Sequence, residues 1–237
     1  MRPSTPSDAA EQLSRKDRER ERHRQEILNA AERIFALKGY HGAAVEEIAK
    51  EAEFAVGTIY KFFKGKEDLY TQAAENLFRE FMEQFAARVL NLEDPGEAVA
   101  ALIELRLTLS DKHRKFLRVF FETSLGSRVN PVRAVPRQTA RIYDGYLESV
   151  RGLFERGIAQ GIFDRGDPLY LALCLEGIIN AFVAYWSRNE PTEALPVRIA
   201  KMKREFLEKE SSYASTTGRR DTGHRDTGWC NGAARQS

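Results

Sequence analysis

The stretch Phe54–Lys66, FAVGTIYKFFKGK, gathers side chains that bind phosphate oxygens and base edges. These are the Thr58 hydroxyl, the Tyr60 phenol and the ammonium groups of Lys61, Lys64 and Lys66, with no acid among them. Gly57 has no Cβ and lets the backbone approach a ligand surface closely. Such a local basic patch suits a nucleic-acid backbone even though the whole chain is nearly neutral, with 37 Lys and Arg against 35 Asp and Glu. Bond-making chemistry finds no comparable foothold. The chain has no Glu-x-x-His pair for a metal, no glycine-rich phosphate loop and no Gly-x-Ser-x-Gly. Its two cysteines, Cys174 and Cys230, stand far apart without a base or partner. Neither catalysis nor a metal nor a cofactor is expected.

Short helices must position those donors. Ile27, Ala30, Ala31, Ile34 and Phe35 recur at three- and four-residue steps, which places one apolar stripe on a helix that Gly39 ends. Val45, Ile48 and Ala49 face inward on a helix over 45–52, and Ile59 and Phe63 do so on one over 56–63. Two short helices about three residues apart have helix-turn-helix spacing. The first packs across the second, so the second projects its early side chains, Ala55 to Tyr60, into a major groove. Beyond Gly65 the helices lengthen: 66–90, 95–109, 111–124, 138–160, one from Pro168 to near Arg188, and 196–211. Asp94-Pro95 and Asp167-Pro168 are cap-then-proline helix starts. No segment alternates as a strand does, so the fold is all-α.

Hydrophobic residues at 42% and charged residues at 30% describe a soluble globular chain. The longest apolar stretch, Leu169–Trp186, is broken by Glu176 and Asn180, which predicts a buried helix rather than a membrane span. The N-terminus lacks the apolar core of a signal peptide, which predicts a cytoplasmic protein without a membrane partner. Residues 1–22 are expected to be a disordered arm, 23–66 a DNA-binding domain, 67–210 a helical ligand-binding and dimerisation domain, and 211–237 a disordered tail.

Val45-x-x-Ile48-Ala49, Val56-Gly57-Thr58-Ile59-Tyr60-x-x-Phe63 and Lys66-Glu67-x-Leu69 closely resemble the tetracycline-repressor (TetR) family of bacterial transcriptional regulators. The resemblance covers residues 27–70 and implies a homodimer that binds a palindromic double-stranded operator and is released by a small molecule. It assigns DNA contact to Ala55, Val56, Gly57, Thr58, Tyr60, Lys61, Phe62 and Lys66, with Lys66 as a phosphate clamp. Two positions depart from the family pattern. Glu53 stands where glycine usually forms the turn and must adopt a left-handed conformation or shift the helix end. Ala43 and Ala44 replace the hydroxyl residues that usually cap the second helix and touch a phosphate.

In the larger domain, Glu176 and Asn180 lie four apart on an otherwise apolar helix and must find polar partners; an effector is one candidate. With Phe120 and Tyr143 they form the expected ligand site, whose apolar and aromatic surroundings favour a hydrophobic or aromatic effector. Gly177, Ala181 and Ala184 form a small-residue stripe that permits close approach of another helix. The resemblance places a four-helix dimer seam there. The competing reading is a helical ligand-binding or scaffolding protein with weakened DNA binding, which Ala43, Ala44 and Glu53 would favour.

Overall fold

The computed structural model describes residues 15–126, 137–164 and 166–207, and all regular structure among them is helical. Nine helices follow one another among the described residues. They are α1 (Arg15–Gly42), α2 (Val45–Glu51), α3 (Val56–Phe62), α4 (Lys66–Arg88), α5 (Pro95–Lys112), α6 (Arg114–Gly126), α7 (Arg137–Ala159), α8 (Pro168–Arg188) and α9 (Leu195–Leu207). The two aspartate caps form as the sequence requires. Asp94 accepts from the Glu97 amide at 2.8 Å, and Asp167 accepts from the amides of Leu169 at 2.8 Å and Tyr170 at 3.2 Å. Gly39 breaks α1 at φ 72°, ψ 171°, and a short further turn carries the chain to Gly42.

Helix α1 begins earlier than expected, because residues 15–22 of the anticipated arm are helical. These turns carry no apolar residue, but Arg20 within them and His23 and Arg24 just after them lie against aromatic rings. The guanidinium of Arg20 lies 5.9 Å from the Phe62 ring, that of Arg24 lies 5.8 Å from Phe63, and His23 meets Phe54 edge-on at 5.0 Å. A reading based on apolar periodicity alone misses ring contacts of this kind. Residues 1–14 and the expected tail over 211–237 lie outside the described residues.

Two cores meet along α4. One joins Ile27, Phe35, Ile48 and Ile59 to Leu69 and Ala73 of α4 and to Phe116 of α6. The other joins Phe81 and Phe85 of α4 to Leu102, Tyr146, Leu175 and Ile179. The boundary expected after residue 66 is therefore crossed by both α4 and α6, so the DNA-reading helices and the larger domain share buried side chains.

Helix α8 is long and apolar enough to cross a membrane by length and composition, yet only 28% of its most apolar window is buried within the protomer. The expectation of a buried helix thus holds on one face only. Ala172, Leu175, Glu176, Ile179 and Val183 are buried, while Tyr170, Leu173, Ile178, Phe182 and Tyr185 face outward.

Candidate nucleic-acid interface and effector site

The turn between α2 and α3 accommodates its glutamate without shifting the helix end. Glu53 takes φ 60°, its amide donates to the Lys50 carbonyl at 3.1 Å, and the Phe54 amide donates to the Ala49 carbonyl at 2.9 Å. These two bonds make a complete Schellman cap in which Glu53 occupies the left-handed position. The start of α2 matches expectation: Ala44 gives no side-chain cap bond.

Helix α3 divides into two faces. Ile59 is fully buried and Phe63 nearly so, which fixes the helix against α1 and α2. Ala55, Gly57, Tyr60 and Lys61 are exposed, with Tyr60 at 54%, and Val56 and Thr58 are half-buried beside them. Two acids of α2 pair with cations of α1: Arg33 with Glu51 at 2.7 Å and Lys38 with Glu47. That Lys38 hydrogen bond holds the Glu47 carboxyl below its ordinary range.

Two residues assigned to DNA have intramolecular partners as well. Phe62 is half-buried beneath Arg20, so its ring packs in the seam between α1 and α3. The Lys66 ammonium donates to the carbonyls of His41 at 3.1 Å and Ala43 at 3.0 Å and lies 5.0 Å from the Tyr40 ring. It braces the start of α4 against the end of α1 and uses two of its three N–H groups to do so.

In the larger domain the structure brings Glu176, Asn180 and Tyr143 together around a residue that periodicity did not reveal, Arg106 of α5. Glu176 is 2% exposed; one of its carboxylate oxygens accepts from the Tyr146 hydroxyl and the other lies 3.5 Å from Arg106 Nη2. Arg106 Nη2 also donates to Asn180 Oδ1 at 2.5 Å, and its guanidinium lies 5.2 Å from the Phe81 ring. Arg106 Nε and Glu176 Oε2 are buried without a hydrogen-bond partner. Burial and then the Glu176 carboxylate push the Tyr146 phenol well above its usual range, so it remains a donor at neutral pH. Burial works against the charge of Arg106, but Glu176 and the two tyrosines outweigh it and raise its pKa. Tyr143 stands at the mouth of this group, 38% exposed and 5.9 Å from the Tyr146 ring. Phe120 is half-buried on α6 and makes its ring contact with Phe121, so it does not join the others through any of these bonds. An arginine on an apolar helix face was the signal available for Arg106, but α5 alone does not say what it meets.

Gly177 and Ala181 are exposed on α8 and Ala184 is half-buried, beside the outward-facing Ile178, Phe182 and Tyr185. Among the described residues no group of His, Cys, Asp and Glu has metal-site geometry.

The model of the family described as "Bacterial regulatory proteins, tetR family" matches residues 27–73. The fatty acid metabolism regulator protein of Bacillus subtilis is 34% identical over 170 residues, which is 70% of this chain and 84% of that protein. Among solved structures, the transcriptional regulator FadR from Bacillus subtilis in complex with stearoyl-CoA is 26% identical. It superimposes with a TM-score of 0.64 over 78% of this chain and 97% of that one. AibR in complex with isovaleryl coenzyme A and operator DNA, 21% identical with a TM-score of 0.61 over 78% and 98%, shares the fold. The helix-turn-helix, the helical domain behind it and a likeness that runs through both together show that the chain belongs to the TetR family of bacterial regulatory proteins, ligand-responsive DNA-binding regulators that act as homodimers.

Proposed function

We propose that this protein is a cytoplasmic repressor of fatty-acid metabolism genes, without enzymatic activity, that leaves its operator when it binds a long-chain acyl-CoA. The observation that carries this reading is the 170-residue likeness to the Bacillus subtilis fatty acid metabolism regulator. A match of that length extends well past the 27–73 head into the helices that would hold an effector. DNA contact is assigned to Ala55, Val56, Gly57, Thr58, Tyr60 and Lys61, with Lys66 both brace and clamp and Phe62 packing behind them. The α8 stripe of Gly177, Ala181 and Ala184 is assigned to the dimer seam.

The geometry supports a route for release. Phe81 and Phe85 project from α4 onto Tyr146 of α7, with ring centroids 5.1 and 5.0 Å apart. An acyl chain entering beside Tyr146 displaces these rings and with them α4, whose other end carries Lys66 and supports the recognition helix. Helix α4 has 23 residues and so is roughly 34 Å long, and a tilt of about 5° moves its far end by about 3 Å. Two half-sites on one face of DNA demand a fixed separation between recognition helices, so a shift of that size disfavours binding both at once. A coupling of ~3 kcal/mol corresponds to about 150-fold weaker operator binding.

The test is fluorescence anisotropy of the full-length protein on a labelled palindromic duplex taken from the DNA upstream of its own gene or its neighbours. Salt-sensitive retention of that duplex and its release by micromolar stearoyl-CoA are expected. Retention that stearoyl-CoA leaves unchanged overturns the effector assignment.

A further inference from the structure

The Arg106–Glu176 pair sits where two environments meet. On one side lie Asn180 and Tyr143, which reach solvent; on the other lie the rings of Phe81 and Tyr146, deep in the core. A ligand with an apolar tail and a polar head would cross this boundary with its tail among the rings and its head outward, so its first polar group falls beside Arg106. That guanidinium has one buried N–H without an acceptor, at Nε. Its charge is already balanced by Glu176 at 3.5 Å. The pair therefore offers a hydrogen-bond donor with almost no net charge.

Such a site distinguishes two forms of the same acyl chain. An uncharged carbonyl needs only a donor, and Arg106 Nε supplies one that has nothing else to bond. A carboxylate arriving at the same place gains attraction from Arg106 but is set against a second, buried carboxylate, and it must shed its hydration to get there. From this geometry we infer that Arg106 binds the carbonyl of an acyl thioester and that Glu176 turns away the corresponding free fatty acid, an inference that rests on the acyl-CoA reading above. Glu176 acts here through its charge rather than by touching the ligand, since a carboxylate has no proton to donate to a carbonyl.

The experiment is release of the full-length protein from its operator duplex by stearoyl-CoA and by stearate, measured on the wild type and on Glu176→Gln. Glutamine keeps the side chain's size and an oxygen to accept from Tyr146 but removes the repelling charge. The wild type should need at least 100-fold more stearate than stearoyl-CoA. In Glu176→Gln the potency of stearate should rise at least tenfold, while stearoyl-CoA moves much less. A merely structural Glu176 would weaken both ligands or neither. On the ligand side, stearamide, which has an uncharged carbonyl, should displace the wild type from DNA at least tenfold more effectively than stearate. This arm decides the matter if the variant does not fold. A wild type that responds to stearoyl-CoA while Glu176→Gln gains nothing with stearate, or while stearamide and stearate act alike, overturns this inference alone. A wild type that no stearoyl-CoA releases overturns the effector class and this inference with it.

Discussion

Glu53 is the one described residue other than glycine with a positive φ, and it holds that conformation because the Schellman bonds on either side fix the turn. A left-handed backbone costs a side-chain-bearing residue about 1 kcal/mol, part of which glycine would give back through its freer unfolded chain. Glu53→Gly should therefore raise stability by about 0.5–1 kcal/mol, read as a higher urea midpoint, and remove one acid beside the recognition helix. Lys66 carries a sharper test, since it is both brace and proposed clamp. Lys66→Ala should cost about 1 kcal/mol of stability through the lost bonds to the His41 and Ala43 carbonyls. It should also weaken every duplex about equally and lower the salt slope by roughly one unit per half-site. An unchanged slope would leave Lys66 as a brace only.

Among the elements, the joint between α5 and α6 ties α1 to α4. It is a single residue, His113, 9% exposed, with Nδ1 at 2.5 Å from Glu32 of α1 and Nε2 at 3.1 Å from Glu80 of α4. His113→Gln loses at least one of these links and should destabilise the protein by about 1–3 kcal/mol, measured by denaturant unfolding. Burial tends to raise the pKa of Glu80, but the hydrogen bond from Lys112 and the proximity of His113 outweigh it and hold the carboxyl below its ordinary range. A depressed carboxylate pKa stabilises the fold above the unfolded value and loses that stabilisation as pH falls through the folded value. Unfolding midpoints followed from pH 6 downward should thus show a loss below the ordinary glutamate range, and Glu80→Gln should flatten it.

For the whole molecule, the outward face of α8 carries Tyr170, Leu173, Ile178, Phe182 and Tyr185 around the small residues Gly177 and Ala181. The dimer seam proposed above would cover this face, on a helix of which only 28% of the most apolar window is buried in one protomer. Because Ala181 is exposed within the protomer, Ala181→Leu should leave the protomer's own packing intact and overpack the seam. Light scattering at micromolar concentration should then show a smaller dimer fraction than the wild type, with operator affinity falling in parallel. A variant that remains fully dimeric and binds as before would move the seam elsewhere.

Helix periodicity, the aspartate caps at Asp94 and Asp167, the break at Gly39 and the strained turn at Glu53 are all decided by contacts within about four residues, and so each was legible in the chain itself. The helix-turn-helix, with its half-buried Thr58 and exposed Tyr60 and Lys61, was legible for the same reason. Glu176 and Asn180 announced a need for polar partners, but nothing local named them. Arg106 meets Asn180 across 74 residues and Tyr146 meets Glu176 across 30. Such pairings depend on which helix faces are pressed together, which is settled by packing in three dimensions. The same holds for Lys66, whose acceptors lie more than 20 residues away at the end of α1, and for Arg20 and Arg24, which lie over the rings of Phe62 and Phe63. The sequence determined which elements form and which side chains demand partners; only the tertiary structure decided which partners answer, because long-range contacts are fixed by the fit between faces and leave no periodic trace along the chain.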